Sequence, residues 1–260
     1  MATSYDQVVL LGDSLFQQSI ELRQGFSFYA AVSAIYARRM DVVNRGFSGW
    51  NTNNVLDRIE DIFPEPSTTS PRIRVLAILL GANDAVLPHS PTKQHVPVEQ
   101  YKENLGKIIS HPRIQAHKPR ILLVTPPPID EFKHSALDLA AGRNPPIRHA
   151  AISAAYSEKA REVASEIPGV TLVDLWQAVM DKAISMTPND YHPDGPWLGT
   201  PQNGKAGGLH DLLPDGLHMS GEAYKAFFEA ISPHLTQEWE GKPFDAGFVY
   251  PTWQKINGVQ

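Results

Sequence analysis

The chain has 260 residues, enough for one domain with a sizeable core, and we expect a single domain over residues 1–260. It contains no cysteine, which excludes disulfides, thiolate catalysis and cysteine-ligated metals. Its net charge is −5 and no cluster of Lys and Arg is present, which argues against a nucleic-acid partner.

The amino-terminal segment MATSYDQVVL lacks the basic region and the long apolar core of a signal peptide. No later apolar run approaches the ~18 residues that a membrane-spanning helix needs. We therefore expect a cytoplasmic protein without stable membrane insertion.

Five short apolar runs alternate along the chain with stretches of helical periodicity, the pattern of a parallel, doubly wound sheet. The runs predict strands at 7–11, 41–45, 73–80, 120–125 and 170–174. Helical spacing of apolar residues predicts helices at 27–39, 98–109 and 220–232. The expected fold is a three-layer α/β/α structure with a flavodoxin-like, five-stranded parallel sheet in the order 2-1-3-4-5.

Two segments fall outside this alternation. Residues 187–214 are rich in Pro and Gly and too long for an ordinary connection, so they form either a functional flap or a floppy insertion. Residues 237–260 carry aromatic side chains without strong periodicity. Such a tail more often packs back onto its own domain than binds a partner.

Four short motifs occur at the positions where this fold gathers functional groups. They are GDSL (12–15), NRGFSG (44–49), GAND (81–84) and DGLH (215–218). The first three directly follow predicted strands, and the order 2-1-3 places the ends of those strands side by side, about 4.8 Å apart. One small substrate could therefore contact all three.

The side chains of these motifs suit acyl transfer. Ser14 supplies a hydroxyl nucleophile, His218 a base, and Asp215 a carboxylate that can hold the imidazole tautomer. The backbone N–H groups of Ser14 and Gly46, together with the side-chain amide of Asn83, would form an oxyanion hole. No cofactor or metal is expected.

Each motif alone is weak, because GDS and GAND usually mark turns or helix caps. A flavodoxin-like binding module, with Ser14 and the following helix holding a phosphate, is the main alternative from another class. Residues 190–194 or His210 could ligate a cation, although such side chains are more commonly solvated residues of a loop. Neither G-x-S-x-G nor H-E-x-x-H occurs in the chain. The conjunction of four motifs in order favours the esterase.

The four motifs match, in order, the Ser, Gly, Asn and His blocks of the SGNH (GDSL-type) hydrolases. Longer segments resemble the isoamyl acetate-hydrolysing esterase subfamily, among them DVVNRGFSGWNT, HVPVEQYKENL, VTPPPIDE, DGLHMSGEAY and FVYPTWQKING. The resemblance implies cofactor-free hydrolysis of short-chain, acetate-type esters. It also implies Ser14 as nucleophile and Asp215 and His218 as its partners, with Gly46 and Asn83 in the oxyanion hole.

Apolar residues that flank these groups in sequence are candidates for contact with the ester, and core packing is their alternative role. The candidates are Leu15, Phe47, Ala85 and Leu217. The expected partner is a small-molecule ester, and the sequence does not distinguish a monomer from a homodimer.

Overall fold

The computed structural model describes residues 5–67 and 69–259, and its centre is one parallel β-sheet. The strands are β1 (Asp6–Gly12), β2 (Met40–Gly46), β3 (Ile73–Leu79), β4 (Arg120–Val124) and β5 (Val170–Val173). Their order is β2-β1-β3-β4-β5, with every neighbouring pair parallel. The predicted fold class and strand order are confirmed.

Helices connect the strands and cover both faces of the sheet. Those before β4 are α1 (Ser14–Gln17), α2 (Phe28–Tyr36), α3 (Thr52–Asp57), α4 (Ile59–Ile62), α5 (Val98–Ser110) and α6 (Pro112–Gln115). Those after β4 are α7 (Glu131–Ala140), α8 (Ala150–Glu166), α9 (Leu175–Met186), α10 (Leu209–Leu212), α11 (Gly221–Thr236) and α12 (Trp253–Asn257). The three predicted helices are present as α2, α5 and α11. Ser27 and Ser220 cap α2 and α11 by accepting a backbone N–H bond.

Two hydrophobic clusters lie on opposite faces of the sheet. Val8 and Leu10 of β1 belong to the first, with α2, α9 and α11, whereas Val9 and Leu11 belong to the second, with α3, α5 and α8. Because both faces are covered, the central strands β1, β3 and β4 are mostly apolar instead of alternating. Within residues 5–67 and 69–259, no helix combines the length and the apolar character that crossing a membrane requires.

Segment 187–214 is folded by its own contacts with the rest of the chain. Leu198 and Leu209 are buried in the first cluster, and the rings of Tyr191 and Trp197 stack at 5.3 Å. The carbonyl of Gly199 accepts a hydrogen bond from the first N–H of α7. The segment is a packed part of the structure, and of the two alternatives for it these contacts disfavour a floppy insertion.

The aromatic tail packs against the carboxyl end of α2. The guanidinium of Arg38 lies 4.5 Å from the ring centre of Phe248, and that of Arg39 lies 4.8 Å from the ring centre of Trp239. The N–H of Val249 donates to the carbonyl of Arg38. These contacts confirm that the tail folds back onto its own chain.

Candidate active site

Ser14 is the first residue of α1, immediately beyond the carboxyl end of β1. Asp13 caps this short helix, since its carboxylate accepts the N–H of Leu15 at 2.9 Å. Ser14 is only 6% exposed, but it lies at the edge of the sheet where loops from several strands meet. The strand and the cap together fix the position of the hydroxyl.

The DGLH motif forms a tight turn whose shape directs His218 towards Ser14. Asp215 Oδ1 accepts the backbone N–H groups of Leu217 at 3.0 Å and of His218 at 2.7 Å. Gly216 has a φ of +83°, and a Cβ at this position would lie 2.7 Å from the carbonyl oxygen of Asp130. Both the left-handed backbone and the close approach require glycine here.

A continuous chain of hydrogen bonds joins the carboxylate, the imidazole and the hydroxyl. Asp215 Oδ2 lies 2.6 Å from His218 Nδ1, and His218 Nε2 lies 2.9 Å from Ser14 Oγ. Burial raises the pKa of Asp215, but hydrogen bonds from the ring and backbone of His218 outweigh it and hold that pKa well below its usual range. Because an ionised carboxylate only accepts, Nδ1 carries the ring proton and Nε2 is free to accept from the serine.

Asn83 occupies the loop after β3, and two partners determine how its side-chain amide is oriented. Its Nδ2 donates to the carbonyl of Trp50 at 2.8 Å, and its Oδ1 accepts from Arg148 Nη2 at 3.3 Å. Since a carbonyl cannot donate and a guanidinium cannot accept, these contacts identify the nitrogen side of the amide. The second N–H bond of Nδ2 has no acceptor among residues 5–67 and 69–259.

A second contact holds the loop after β2 against the loop after β3. The carboxylate of Asp84 accepts the N–H of Thr52 at 3.0 Å and also accepts its hydroxyl. Trp50, whose carbonyl binds Asn83, lies two residues before Thr52 in the loop after β2. The loops that follow β2 and β3 therefore form one rigid edge.

The predicted role of Gly46 as an oxyanion donor is wrong. Its N–H donates to Asn44 Oδ1 at 2.8 Å and is not available to a substrate. A Cβ on Gly46 would lie 2.1 Å from the backbone nitrogen of Gln17, so the glycine is needed for the close approach of β2 to α1. The side chain of Asn44, which sequence reasoning did not consider, occupies this donor.

The N–H of Gly49, three residues further on, has no acceptor in the part of the chain that the structure describes. Gly49 lies between Ser48, whose N–H donates to Gln17 Oε1 of α1, and Trp50, whose carbonyl binds Asn83. The N–H of Ser14 likewise has no acceptor in residues 5–67 and 69–259. Sequence reasoning missed Gly49, although the turn FSG contains it.

The predicted substrate-contacting residues have different environments. Leu15 and Ala85 are fully buried in the first and second hydrophobic cluster, so assigning them to ester contact is wrong and packing is their role. Leu217 is 7% exposed and packs in the first cluster. Phe47 is half-buried, and its ring stacks on that of Trp50 at 4.4 Å. Of the four candidates, Phe47 offers the most accessible apolar surface.

Two cavities lie near the DGLH turn and segment 187–214. A cleft of about 570 Å³ borders Asp215 and His218, together with Gln18 and Arg23. An apolar cavity of about 400 Å³ lies between α8, α9 and residues 196–202 of the long segment. The second cavity has none of the hydrogen-bonded site residues in its wall, so segment 187–214 encloses a space separate from Ser14.

In the described ranges, no three His, Asp or Glu side chains come close enough together to hold a metal ion. His210 is instead near Asp130, with its Nδ1 3.7 Å from the carboxylate. Residues 190–194 contribute Asp190 to a 2.6 Å ion pair with Lys205. These contacts account for His210 and Asp190, two of the side chains that the sequence offered as alternative cation ligands.

A hydrogen-bonded serine, histidine and aspartate at the carboxyl edge of a parallel α/β sheet is the arrangement that serine hydrolases use. The model of the GDSL-like lipase/acylhydrolase family matches residues 10–226, and the chain belongs to this family. This match confirms the family resemblance seen in the sequence. It favours the hydrolase over the alternative of a flavodoxin-like phosphate-binding module.

Relatives cover nearly the whole chain. A GDSL esterase/lipase of Arabidopsis thaliana is 32% identical over an alignment that spans 97% of this chain and 94% of the relative. The isoamyl acetate-hydrolyzing esterase 1 homolog of Bos taurus is 28% identical over 97% of this chain and 88% of its own. The solved lipase/acylhydrolase of Enterococcus faecalis shares the fold, with a TM-score of 0.58 and 21% identity over 90% of this chain and 96% of that one.

Proposed function

We propose that the protein hydrolyses short-chain carboxylic esters of the acetate type through an acyl-enzyme formed on Ser14. The observation that carries the proposal is the 2.9 Å hydrogen bond between Ser14 Oγ and His218 Nε2, backed by the carboxylate of Asp215. A serine hydroxyl is a poor nucleophile unless a base removes its proton, and here the base is already in hydrogen-bonding contact.

In the first half of the reaction, Ser14 Oγ attacks the ester carbonyl carbon while its proton passes to His218 Nε2. The tetrahedral intermediate collapses, the bond to the alcohol oxygen breaks, and the imidazolium returns its proton to that oxygen. In the second half, His218 takes a proton from water, which attacks the acyl-serine. The carboxylic acid leaves and Ser14 regains its proton.

The negative charge that develops on the carbonyl oxygen needs donors placed in advance. We assign this role to the backbone N–H groups of Ser14 and Gly49 and to Nδ2 of Asn83. Support comes from the two backbone N–H groups, which have no acceptor among the described residues, and from the fixed orientation of the Asn83 amide. Each such donor typically contributes about 10²–10³ in kcat.

The preference for short esters draws on two observations. Several relatives carry the name isoamyl acetate-hydrolyzing esterase 1 homolog and align over most of the chain. Leu15 and Ala85 are buried, and the accessible apolar surface beside Asn83 is the stack of Phe47 on Trp50. One stacked aromatic pair offers contact to a small acyl or alcohol group.

Fluorophosphonate is expected to add one covalent adduct, at Ser14, because this serine combines a base with oxyanion donors. Intact mass and peptide mapping of the treated protein measure the adduct. Ser14→Ala should take up no label and lose ester turnover, whereas Ser232→Ala, in α11 and away from the site, should label like the wild type. A label on another serine that persists in Ser14→Ala would refute the assignment.

Phe47→Ala is expected to shift chain-length preference towards longer acyl groups, because it removes an aromatic wall from the edge of the site. The ratio of kcat/KM for p-nitrophenyl hexanoate over p-nitrophenyl acetate should rise about tenfold or more, as one methylene of fit is worth about 10- to 200-fold. Phe244→Ala, at a tail position that is 73% exposed, is the matched control and should leave the ratio unchanged. An unchanged ratio in Phe47→Ala would place the acyl group elsewhere.

A further inference from the structure

Arg148 is a buried cation that has no direct ion pair with any residue the structure describes. It is 5% exposed, and in the described part of the chain no carboxylate oxygen lies within 4.0 Å of its guanidinium nitrogens. Burial lowers the pKa of Arg148 to about 10, against the more distant carboxylates of Asp13 and Asp138, so it stays charged at neutral pH. Because an unpaired buried charge is costly, its position calls for a reason other than packing.

The guanidinium reaches the loop after β3 instead of a carboxylate. Nη1 donates to the carbonyl of Ala82, and Nη2 donates to Asn83 Oδ1 at 3.3 Å. The planar fork therefore spans two consecutive residues of the GAND motif. The Asn83 amide therefore accepts from Arg148 at its oxygen and donates to Trp50 at its nitrogen.

The backbone on both sides of Arg148 is fixed. Ile147 donates its N–H to the buried carboxylate of Asp138 at 2.9 Å, and its carbonyl accepts the N–H of Leu87 at 2.8 Å. Ala150 donates its N–H to Glu131 Oε2 at 2.7 Å. Carboxylates of α7 thus hold the segment before α8 against the loop that carries Asn83.

We propose that Arg148 is a positioning residue for the transition state, acting through the carboxamide of Asn83. Its bond to Oδ1 prevents the amide from rotating by 180° and presents Nδ2 to the developing oxyanion. A charged donor on Oδ1 also polarises the amide, which strengthens Nδ2 as a donor. This inference rests on the proposed esterase function, and it predicts an effect on kcat because the oxyanion exists only in the transition state.

A double-mutant cycle tests the inference with p-nitrophenyl acetate as the substrate. Arg148→Met should lower kcat about 10- to 100-fold, the range for losing a charged hydrogen bond, and change KM by no more than a few-fold. In an Asn83→Ala background, itself about 10²–10³ slower, the same change should lower kcat less than threefold because its target is absent.

Two further variants separate positioning from stability. Arg148→Lys keeps the buried charge but cannot span both acceptors, so it should fold and still lose most of the Arg148 contribution to kcat. Arg39→Met, which removes a guanidinium that binds carbonyls of the tail at 2.6 and 2.9 Å, is the matched control and should keep wild-type kcat. Thermal unfolding of every variant verifies the native fold.

Wild-type kcat in folded Arg148→Met or Arg148→Lys would overturn the inference, as would an equal loss in the presence and absence of the Asn83 amide. Ser14→Ala distinguishes this failure from that of the proposed function. If Ser14→Ala is inactive while the Arg148 variants are fully active, only the positioning role is wrong. If Ser14→Ala retains turnover, the esterase mechanism itself is wrong.

Discussion

His218→Ala is expected to lower kcat by about 10⁶, because the variant lacks both the base for the Ser14 proton and the acid for the leaving alcohol. In serine hydrolases the loss of the histidine or the serine alone costs nearly as much as the loss of all three residues. Residual turnover should equal that of Ser14→Ala, since either change stops the same chemical step. Binding of substrate should change little.

The measurement is kcat for p-nitrophenyl acetate in His218→Ala, Ser14→Ala and the double variant, which should agree within a few-fold. His192→Ala, at an exposed position in the long segment, is the matched control and should keep wild-type kcat. His210, whose side chain is 65% exposed, is the alternative histidine closest in sequence. If His210→Ala abolished turnover while His218→Ala preserved it, the base would have to be reassigned.

The sheet could be predicted from sequence because its central strands β1, β3 and β4 are buried on both faces. Continuous apolar runs such as that of β1 have no other common explanation when they alternate with amphipathic helices. The hydrogen-bonded partners could also be predicted. Ser14 follows a strand directly, and Asp215 and His218 are three residues apart in a turn that glycine permits. Local pattern and topology were sufficient in these cases.

Which N–H groups are free could not be predicted, because that depends on how each side chain is oriented in the folded loop. Asn44 occupies the N–H of Gly46, two residues away, and leaves that of Gly49 open. Likewise, Leu15 is adjacent to Ser14 in sequence but points into the core, because successive residues at the start of α1 face different directions. Arg148 is 65 residues from Asn83, and no local motif marks it.

Asp215→Asn is expected to lower kcat by about 10⁴ while leaving the protein folded, a loss like that known when a triad aspartate becomes asparagine. The geometry explains the size of the effect. Oδ1 accepts the N–H groups of Leu217 and His218, and in the variant only the amide oxygen can keep those bonds. The amide nitrogen must then face His218 Nδ1, which becomes an acceptor, so Nε2 carries the proton and cannot receive one from Ser14.

The fold should tolerate the change, because the side chain of Asp215 is 44% exposed and its backbone contacts can persist. Asp211→Asn, an exposed aspartate four residues earlier, is the matched control for kcat and for thermal unfolding. A variant that unfolds at the wild-type temperature yet loses about 10⁴ in kcat supports the tautomer argument. If folded Asp215→Asn kept kcat within tenfold of wild type, the carboxylate would not be what sets the protonation of His218.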